Sequence, residues 1–591
     1  MKKLLSLLLV LTMLCGAAAA EGTGYWHDKW LPDYEYTGET KVPDYMNTDS
    51  YFPIVKEGND ITLKIGLVYD ETYTDPDQVK DSWFYTWFSK YTGVKFEFEC
   101  IPKSALNERK TLLFLEDKLP DILLGFQLKP AELTMYGDMD GQLLDMGPYL
   151  NADLAPTIIR MFEQVEGVKP AITTSAGKIY TLPMLYSELD ANGYAQSEVM
   201  YVNTDWLKTI GLEKAPDTLE GFTDMLYKFK AAYPDGIPLA ASDGQQDVRS
   251  YILNAMGYLT DVENDTGYGP ALRNGEVVIP AYTENFKDFL KIMNEYYVNG
   301  LIPQDYFTLD ETAENAMLEK MNFGATNRGS MGRVLGQTLE DVKTKIQKLW
   351  TGYPLTSQWN DVRQVQRNSR VNKIGNACIA STTKYPELCV RLLDFWYTEL
   401  GMIYTWEGTA FAADDNEKLG MILGHEVTPD YKTTYHDVAE GLKESGYYYA
   451  YGETSPIGLQ FGNRSHSLYR PDEMYYMRMI SVEMSGYEVT PYTLIEDSAD
   501  DWFKLSKQEG FFPYLVDGYP KYVYLDEDTA QRLADLESVI KPFVDAEVAK
   551  FITGLNSIDQ FDKFQEQLKN MGIEEYLKIY QDFYTAYVAN K

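Results

Sequence analysis

Cysteine is almost absent from this chain: Cys15, Cys100, Cys378 and Cys389 are the four in 591 residues. With Cys15 inside a leader segment, the three left lie at irregular spacings that form neither a disulfide framework nor a zinc site. A Cys378–Cys389 bridge stays open beside the plainer reading of small buried apolar residues. Histidine is as scarce. His27, His425, His436 and His466 have no partner at metal-binding spacing, and His425-Glu426 lacks the second histidine of an HExxH helix. Positive charge is short as well, with 53 Lys and Arg against 89 Asp and Glu and a net charge of −36. Such a surface repels phosphate backbones and anionic headgroups, which argues against nucleic acid and lipid as partners and leaves a polyamine or basic peptide open. Nucleophile elbow, phosphate loop, dinucleotide fingerprint, internal repeat and low-complexity segment are all missing. No cofactor or metal is expected, and no catalytic constellation stands out, although among so many carboxylates a glycosidase pair stays open.

Long hydrophobic runs are missing too, except at the start. Lys2 and Lys3 precede the apolar run Leu4 to Leu14, and Ala18-Ala19-Ala20 offers a cleavage site before Glu21. That is a signal peptide over residues 1–20, too short to span a bilayer. A lipid anchor at Cys15 competes with ordinary cleavage, and Leu14 stands where a small residue should precede a lipidated cysteine. Either way the protein is expected outside the cytoplasm, secreted or on the cell surface.

What is plentiful is aromatic and alternating sequence. Residues 21–57, rich in Tyr, Trp, Pro and Asp without periodicity, read as an extended tether. Ile61 to Val68 alternates as a strand, Asp77 to Tyr91 has helical spacing, and Val94 to Cys100 alternates again. A helix over Ala105 to Leu115 and a strand from Ile122 to Phe126 repeat the unit. Strands alternating with helices predict an α/β fold, a mostly parallel sheet with helices on both faces. Further on, Val199 to Asn203 reads as a strand. Asp217 reads as the N-cap of a helix whose buried stripe is Leu219, Phe222, Met225, Leu226 and Phe229. Helices are expected over Asn285 to Asn299 and Thr312 to Met321, with a strand from Asn322 to Thr326. Residues 371–402 return to first-domain character, with a strand through Ile379 and a helix carrying Leu388 to Trp396. Helices over Ala530 to Val548, broken or kinked at Pro542, Ile558 to Met571 and Glu574 to Val588 finish the chain.

Several short motifs occur in a recognisable order. They are Leu119-Pro120-Asp121-Ile122, Gly141 to Leu150, Gly177-Lys178-Ile179-Tyr180 with Leu182-Pro183, and Tyr201 to Leu207 followed by Gly211-Leu212 and Pro216 to Thr218. Gly300 to Pro303, Lys384 to Glu387, Glu407-Gly408, Phe551 to Gly554 and Met571 to Leu577 complete the set. In this order the chain resembles family 1 extracellular solute-binding proteins, and its ending is similar to their carbohydrate or LipO-like subgroup. The resemblance implies two α/β lobes of periplasmic-binding-protein type, joined by hinge crossings, with an added helical C-terminal region. The divisions are a first lobe over 58–175, a second over 176–370, a return to the first over 371–415, and a mostly second-lobe, helical region over 416–591. Relatives often carry a calcium loop after the helix that starts near Thr218. Here Pro234-Asp235-Gly236-Ile237-Pro238 has too few oxygen ligands, and Asp261 to Asp265 reads as a solvated turn.

The implied function is capture of a solute, an oligosaccharide by the aromatic composition, and delivery to the permease subunits of an ABC transporter by a monomer. Sugar rings present apolar faces and hydroxyl edges, which flat aromatic side chains and carboxylates, amides or Arg match. Ligands of α/β sheets sit off the carboxyl ends of strands. The ligand-binding candidates are therefore Tyr69 and Asp70 after the first strand, Trp83, Phe126 and Gln127 after the third, and Tyr186 at the crossover. Trp359 and Arg363 before the return crossing, Trp406 with Glu407 in the family's turn, and Arg470 complete them. A secreted carbohydrate-active enzyme, or a sensor or adhesion protein on the same fold, is the alternative.

Overall fold

The computed structural model describes residues 34–69, 71, 79, 83–165, 167–186, 199–244, 247–260, 264–328, 331, 334–335, 344–345, 347–367, 369–398, 401, 469–470 and 510–590. Residues 1–20, expected as a signal peptide, together with Asp70, Trp406, Glu407 and the aromatic run at 447–451, lie outside them.

In chain order the first body contains β1 (Thr62–Tyr69), α1 (Trp83–Thr92), β2 (Lys95–Pro102), α2 (Leu106–Leu115), β3 (Ile122–Leu124) and β4 (Leu182–Tyr186). The chain then crosses to β5 (Val199–Asn203), α3 (Thr204–Thr209), α4 (Leu219–Ala232), β6 (Ile237–Ala240), α5 (Phe286–Val298), β7 (Phe323–Arg328) and β8 (Leu349–Thr351). It returns through β9 (Val365–Gln366) to β10 (Val371–Ile379) and α6 (Pro386–Asp394). The last elements are β11 (Tyr469–Arg470), β12 (Leu515–Val516), α7 (Glu527–Thr553), α8 (Phe561–Met571) and α9 (Ile573–Asn590).

Two sheets organise these elements, a six-stranded one in the order β11-β4-β10-β3-β1-β2 and a four-stranded one in the order β8-β5-β7-β6. β1 runs parallel to β2 and β3, whereas β10 runs antiparallel to both β3 and β4. In the second sheet β5 is antiparallel to β7 and β8, and only β6 and β7 run together. The sheets are thus mixed rather than mostly parallel. The physical reason is the crossing: a strand that enters a lobe from its neighbour arrives at the edge where the resident strands end, and must run against them. β4 also belongs to the first sheet, so the second lobe begins beyond residue 186 rather than at 176.

Each sheet has its own core. In the first, Leu63, Ile65 and Leu67 of β1 and Ile122, Leu123 and Leu124 of β3 pack with Phe88, Phe395 and Trp396. Phe88 stacks on Phe96 with rings 5.5 Å apart, and the edge of Trp396 meets it at 5.1 Å. In the second, the stripe of α4 is buried as the periodicity requires, at Leu219, Phe222, Met225, Leu226 and Phe229. Trp206 lies flat on Tyr233 at 3.9 Å and is closed over by the same core. α7, α8 and α9 pack into this second core.

Three local expectations are corrected. Residues 34–57 form part of the first lobe instead of a tether: Met46, Tyr51, Ile54 and Val55 are core residues. The rings of Tyr34 and Tyr51 lie 3.9 and 4.1 Å from the buried Arg391 guanidinium. The aromatic residues there pack on a buried cation, which explains their lack of periodicity. The α4 cap is Thr218, accepting from the Gly221 amide, while Asp217 turns to Arg363 and Glu220 accepts from Gln358. Helix α7 runs unbroken through Pro542. The ring is exposed, and buried Leu536, Ile540, Val544, Val548 and Phe551 hold both halves to the core, which offsets the one lost backbone bond. Cys378 and Cys389 are buried and unbridged, as the plainer reading had it, and burial pushes the Cys378 thiol up to about 12.

Candidate functional site

Strand direction decides where a ligand can sit. β1, β2, β3 and β4 end at one edge of the first sheet, and β10 starts there. In the second sheet β6, β7 and β8 end at the edge where β5 starts, as the pairings Val199↔Arg328 and Thr351↔Tyr201 record. The passages from β4 to β5 and from β8 to β10 therefore join these two edges. β9 and β12 pair side by side between the lobes. Tyr522 beyond β12 donates to the Asn372 carbonyl, tying the later segment to the foot of β10. Paired segments of this kind form a hinge.

At the first lobe's edge the turn after β3 is held from behind. Gly125 N–H donates to Asn376 O at 2.7 Å and Leu128 N–H to Gly375 O at 3.2 Å. Gly375 has φ +61°, and an added Cβ would come within 2.0 Å of the Leu128 nitrogen, so only glycine admits this approach. Gripped at both ends, the turn places Gln127 in the left-handed region at φ +51°, exposed between buried Phe126 and Leu128. A non-glycine residue held there is strain of the kind concentrated at ligand sites. Asn376 adds a second oddity: its side chain is buried, and among the described residues neither amide atom has a hydrogen-bond partner. Buried amides without partners are rare enough to need an explanation.

The second lobe's edge is the opposite, crowded and with the Arg249 cation fully engaged. After β6 come Ser242, Asp243 and Asp247, then Arg249 at the start of the helix Arg249–Ala255. The Arg249 guanidinium is buried and bonds to Asp243, Asp247 and Asp265. Tyr306 donates to Asp247 at 2.7 Å, and the Asn327 amide donates to its carbonyl. Burial would raise Asp247, but Arg249 beside it holds its carboxyl below the ordinary range. Burial and a hydrogen bond to Asp247 push Asp265 up to about 9, so the pair keeps one proton at neutral pH. Asp261 to Asp265 is therefore no simple solvated turn, since its last residue closes an ion network. The three carboxylates could together hold a metal ion, their oxygens lying within 4.8 Å of one another. Arg249 already supplies the cation. A glycosidase pair is disfavoured on the same ground: one carboxyl is raised and its neighbour is ionised, but Asp247 is fully buried and the two hydrogen-bond directly, leaving no room for a sugar and water between them. Beside the network, buried Ser242 donates to buried Glu314, whose other oxygen has no partner.

Of the residues expected at the site, Tyr69 ends β1 half-buried, Gln127 stands out from the turn, and Tyr186 and Arg470 are register partners at the ends of β4 and β11. These four share the first lobe's carboxyl edge. Trp83 opens α1; its side chain, like those of Tyr186 and Arg470, lies outside the described residues. Phe126 goes elsewhere, fully buried with its ring against Gly66. Trp359 packs on the second core and donates to Asp288 at 3.2 Å. Arg363 sits 5.3 and 5.1 Å from the rings of Tyr353 and Tyr514 and bonds Asp217, which makes it a hinge fastener with only Nε unpartnered. The reading from sequence missed the cluster after β6. Its signal was the polar run Ser242-Asp243-Gly244-Gln245-Gln246-Asp247 between an apolar strand and a helix, the same pattern that pointed to Tyr69.

Comparison with known proteins follows this geometry. Residues 70–301 match the family profile described as bacterial extracellular solute-binding protein. The fructooligosaccharide ABC transporter substrate-binding protein FusA of Streptococcus pneumoniae serotype 4 is 22% identical over 565 residues, 93% of this chain and 94% of its own. Lipoprotein LipO of Bacillus subtilis is 23% identical over 267 residues, 43% of this chain and 48% of its own. Among solved structures, S. pneumoniae FusA in complex with kestose superposes with a TM-score of 0.63 at 20% identity, covering 90% of this chain and all of that one. A solute-binding protein from Bifidobacterium longum infantis, described as HMO-binding and ABC-transporter-associated, gives 0.65 at 18% identity, covering 89% and 99%. Profile, end-to-end relative and fold thus agree in likening the chain to the bacterial extracellular solute-binding proteins, the profile over residues 70–301.

Proposed function

We propose that this protein captures an oligosaccharide between its two lobes and hands it to the permease subunits of an ABC transporter, working as a monomer outside the cytoplasm. The observation that carries the reading is the pair of carboxyl edges, joined by paired hinge segments, in a chain that matches an oligosaccharide-binding relative along almost its whole length. Tyr69, Gln127, Tyr186 and Arg470 form the first lobe's face of the site, with Asp70 and Trp83 beside them in sequence. Ser242, Asp243 and Glu314 form the second lobe's face. A solute that touches both faces only when they close shifts the population toward the closed form by its differential affinity.

The test is a thermal-shift and calorimetric screen of the full chain against oligosaccharides, polyamines and peptides, with chromatography of the sugar afterwards. A tight ligand recovered unchanged supports the reading. At a hundredfold excess over Kd, such a ligand stabilises by about 2.7 kcal/mol. Cleavage of the sugar would move the assignment to an enzyme, and a polyamine as the sole ligand would end the sugar reading.

A further inference from the structure

The chain is strongly acidic overall, yet the segment that returns to the first lobe is not. Between Asp361 and Glu387 stand Arg363, Arg367, Arg370, Lys373 and Lys384, and no acidic residue. Some of this charge is neutralised locally: Arg363 by Asp217, and Arg367 by Asp517 at 3.8 Å. Lys373 is different. It lies in β10 opposite Met184 of β4, near the edge where the chain arrives from the hinge. No described carboxylate pairs with it. The charged groups that act on it are two further lysines, Lys103 just past the end of β2 and Lys521 beside the hinge segment. Lys521 is placed there by its neighbour Tyr522, which donates to Asn372, the residue before Lys373. The side chain of Lys373 keeps contact with solvent. Even so, the protein atoms crowded around it and the like charges of Lys103 and Lys521 hold its pKa below the ordinary lysine value.

Three ammonium groups gathered on one edge repel one another, and 89 acidic residues were available to neutralise them. The described ones do not neutralise Lys373. A missing counter-charge at a ligand edge is what an anionic ligand supplies, since an ammonium-to-anion hydrogen bond is roughly twice as strong as a neutral one. Lysine accepts either a carboxylate or a sulfate because it acts as a point charge without the fixed fork of arginine.

We propose that the transported saccharide carries an acidic group, and that Lys373, supported by Lys103 and Lys521, receives it at the first lobe's edge. This rests on the oligosaccharide reading above. The network around Arg249 complements it, because that guanidinium is already held by Asp243, Asp247 and Asp265.

The experiment is isothermal titration of the full chain with two matched pairs: trigalacturonate against its methyl ester, and a sulfated galactotriose against the unsulfated sugar. The expected result is that an acidic member binds at least about tenfold tighter than its neutral partner, a difference of ~1.4 kcal/mol. The preferred pair tells carboxylate from sulfate. The preference should shrink on raising the salt, collapse in Lys373→Met and persist in Lys373→Arg, with unchanged melting curves excluding a folding defect. Equal binding of neutral and acidic members, or a preference untouched by Lys373→Met, overturns the anion site and leaves the transport reading standing. No binding to any saccharide, neutral ones included, overturns both.

Discussion

The two edges are built from the same material in opposite states. At the second lobe, Arg249, Asp243, Asp247, Asp265, Tyr306 and Asn327 engage one another, and the described atoms left over beside Arg249, Asn327 Oδ1 and Glu314 Oε2, are acceptors. At the first, Gln127 is held out in a strained conformation, the Asn376 amide has no described partner and Lys373 has no described counter-charge. A saturated polar cluster fixes shape, whereas an unsaturated one waits for a ligand. The difference assigns the second lobe's edge to rigidity and the first lobe's edge to recognition.

The hardest blow to this contrast is Arg249→Met. It keeps bulk but leaves three clustered carboxylates without their cation, and breaking a buried pair in this way costs about 3–5 kcal/mol. Calorimetry should show the second lobe melting early with the first little changed; an unshifted melt would mean the network contributes nothing. Next in size is Gly375→Ala. The left-handed backbone alone costs about 1–3 kcal/mol, and the new Cβ must also push Leu128 aside. Stability of the first lobe and solute affinity should fall together, since the displaced turn carries Gln127. Retained affinity with lost stability would detach that turn from the site.

How much of this could be read in advance differs between the two edges. The first lobe was legible because β1 and β2 alternate in the sequence and α1 follows a helical period, so the strand ends at Tyr69 and before Gln127 could be located. Phe126 was misplaced because a residue after a strand looks the same whether its ring turns outward or lies over a glycine such as Gly66. The second lobe's network was illegible for a different reason. Asp247 and Arg249 are adjacent, but Asp265, Tyr306 and Asn327 reach them from separate segments, and no local pattern records that convergence. Pro542 misled by a third route, since propensity marks a break where a continuous buried face on α7 overrides it.

Smaller effects sharpen the same contrast. Gln127→Gly relieves the left-handed strain, so the melting temperature should hold or rise slightly while calorimetric affinity drops by up to about tenfold, the worth of one or two hydrogen bonds. Lost stability with unchanged affinity would reverse the role assigned to this residue.

The smallest effect expected is on the slope of stability with pH in Asp265→Asn. In the unfolded chain Asp265 releases its proton near pH 4, as an ordinary aspartate does at about 3.9. In the native lobe, burial and the hydrogen bond to Asp247 hold the proton up to about 9. Its stabilising contribution is therefore complete below about pH 4 and is lost steadily as pH rises toward 9, because the unfolded state alone gains by ionising. Asp247, held low by Arg249, acts in the opposite sense and only below that window. Asparagine cannot titrate but can still donate to Asp247, so the variant should keep the network and lose the slope. Melting curves between pH 5 and 9 should fall for the native protein and stay flatter for the variant. About 2–4 °C corresponds to each kcal/mol in a lobe of this size. Parallel curves would show that Asp265 is ionised in the native state, and the second lobe's edge would then carry a further negative charge able to attract a cationic solute.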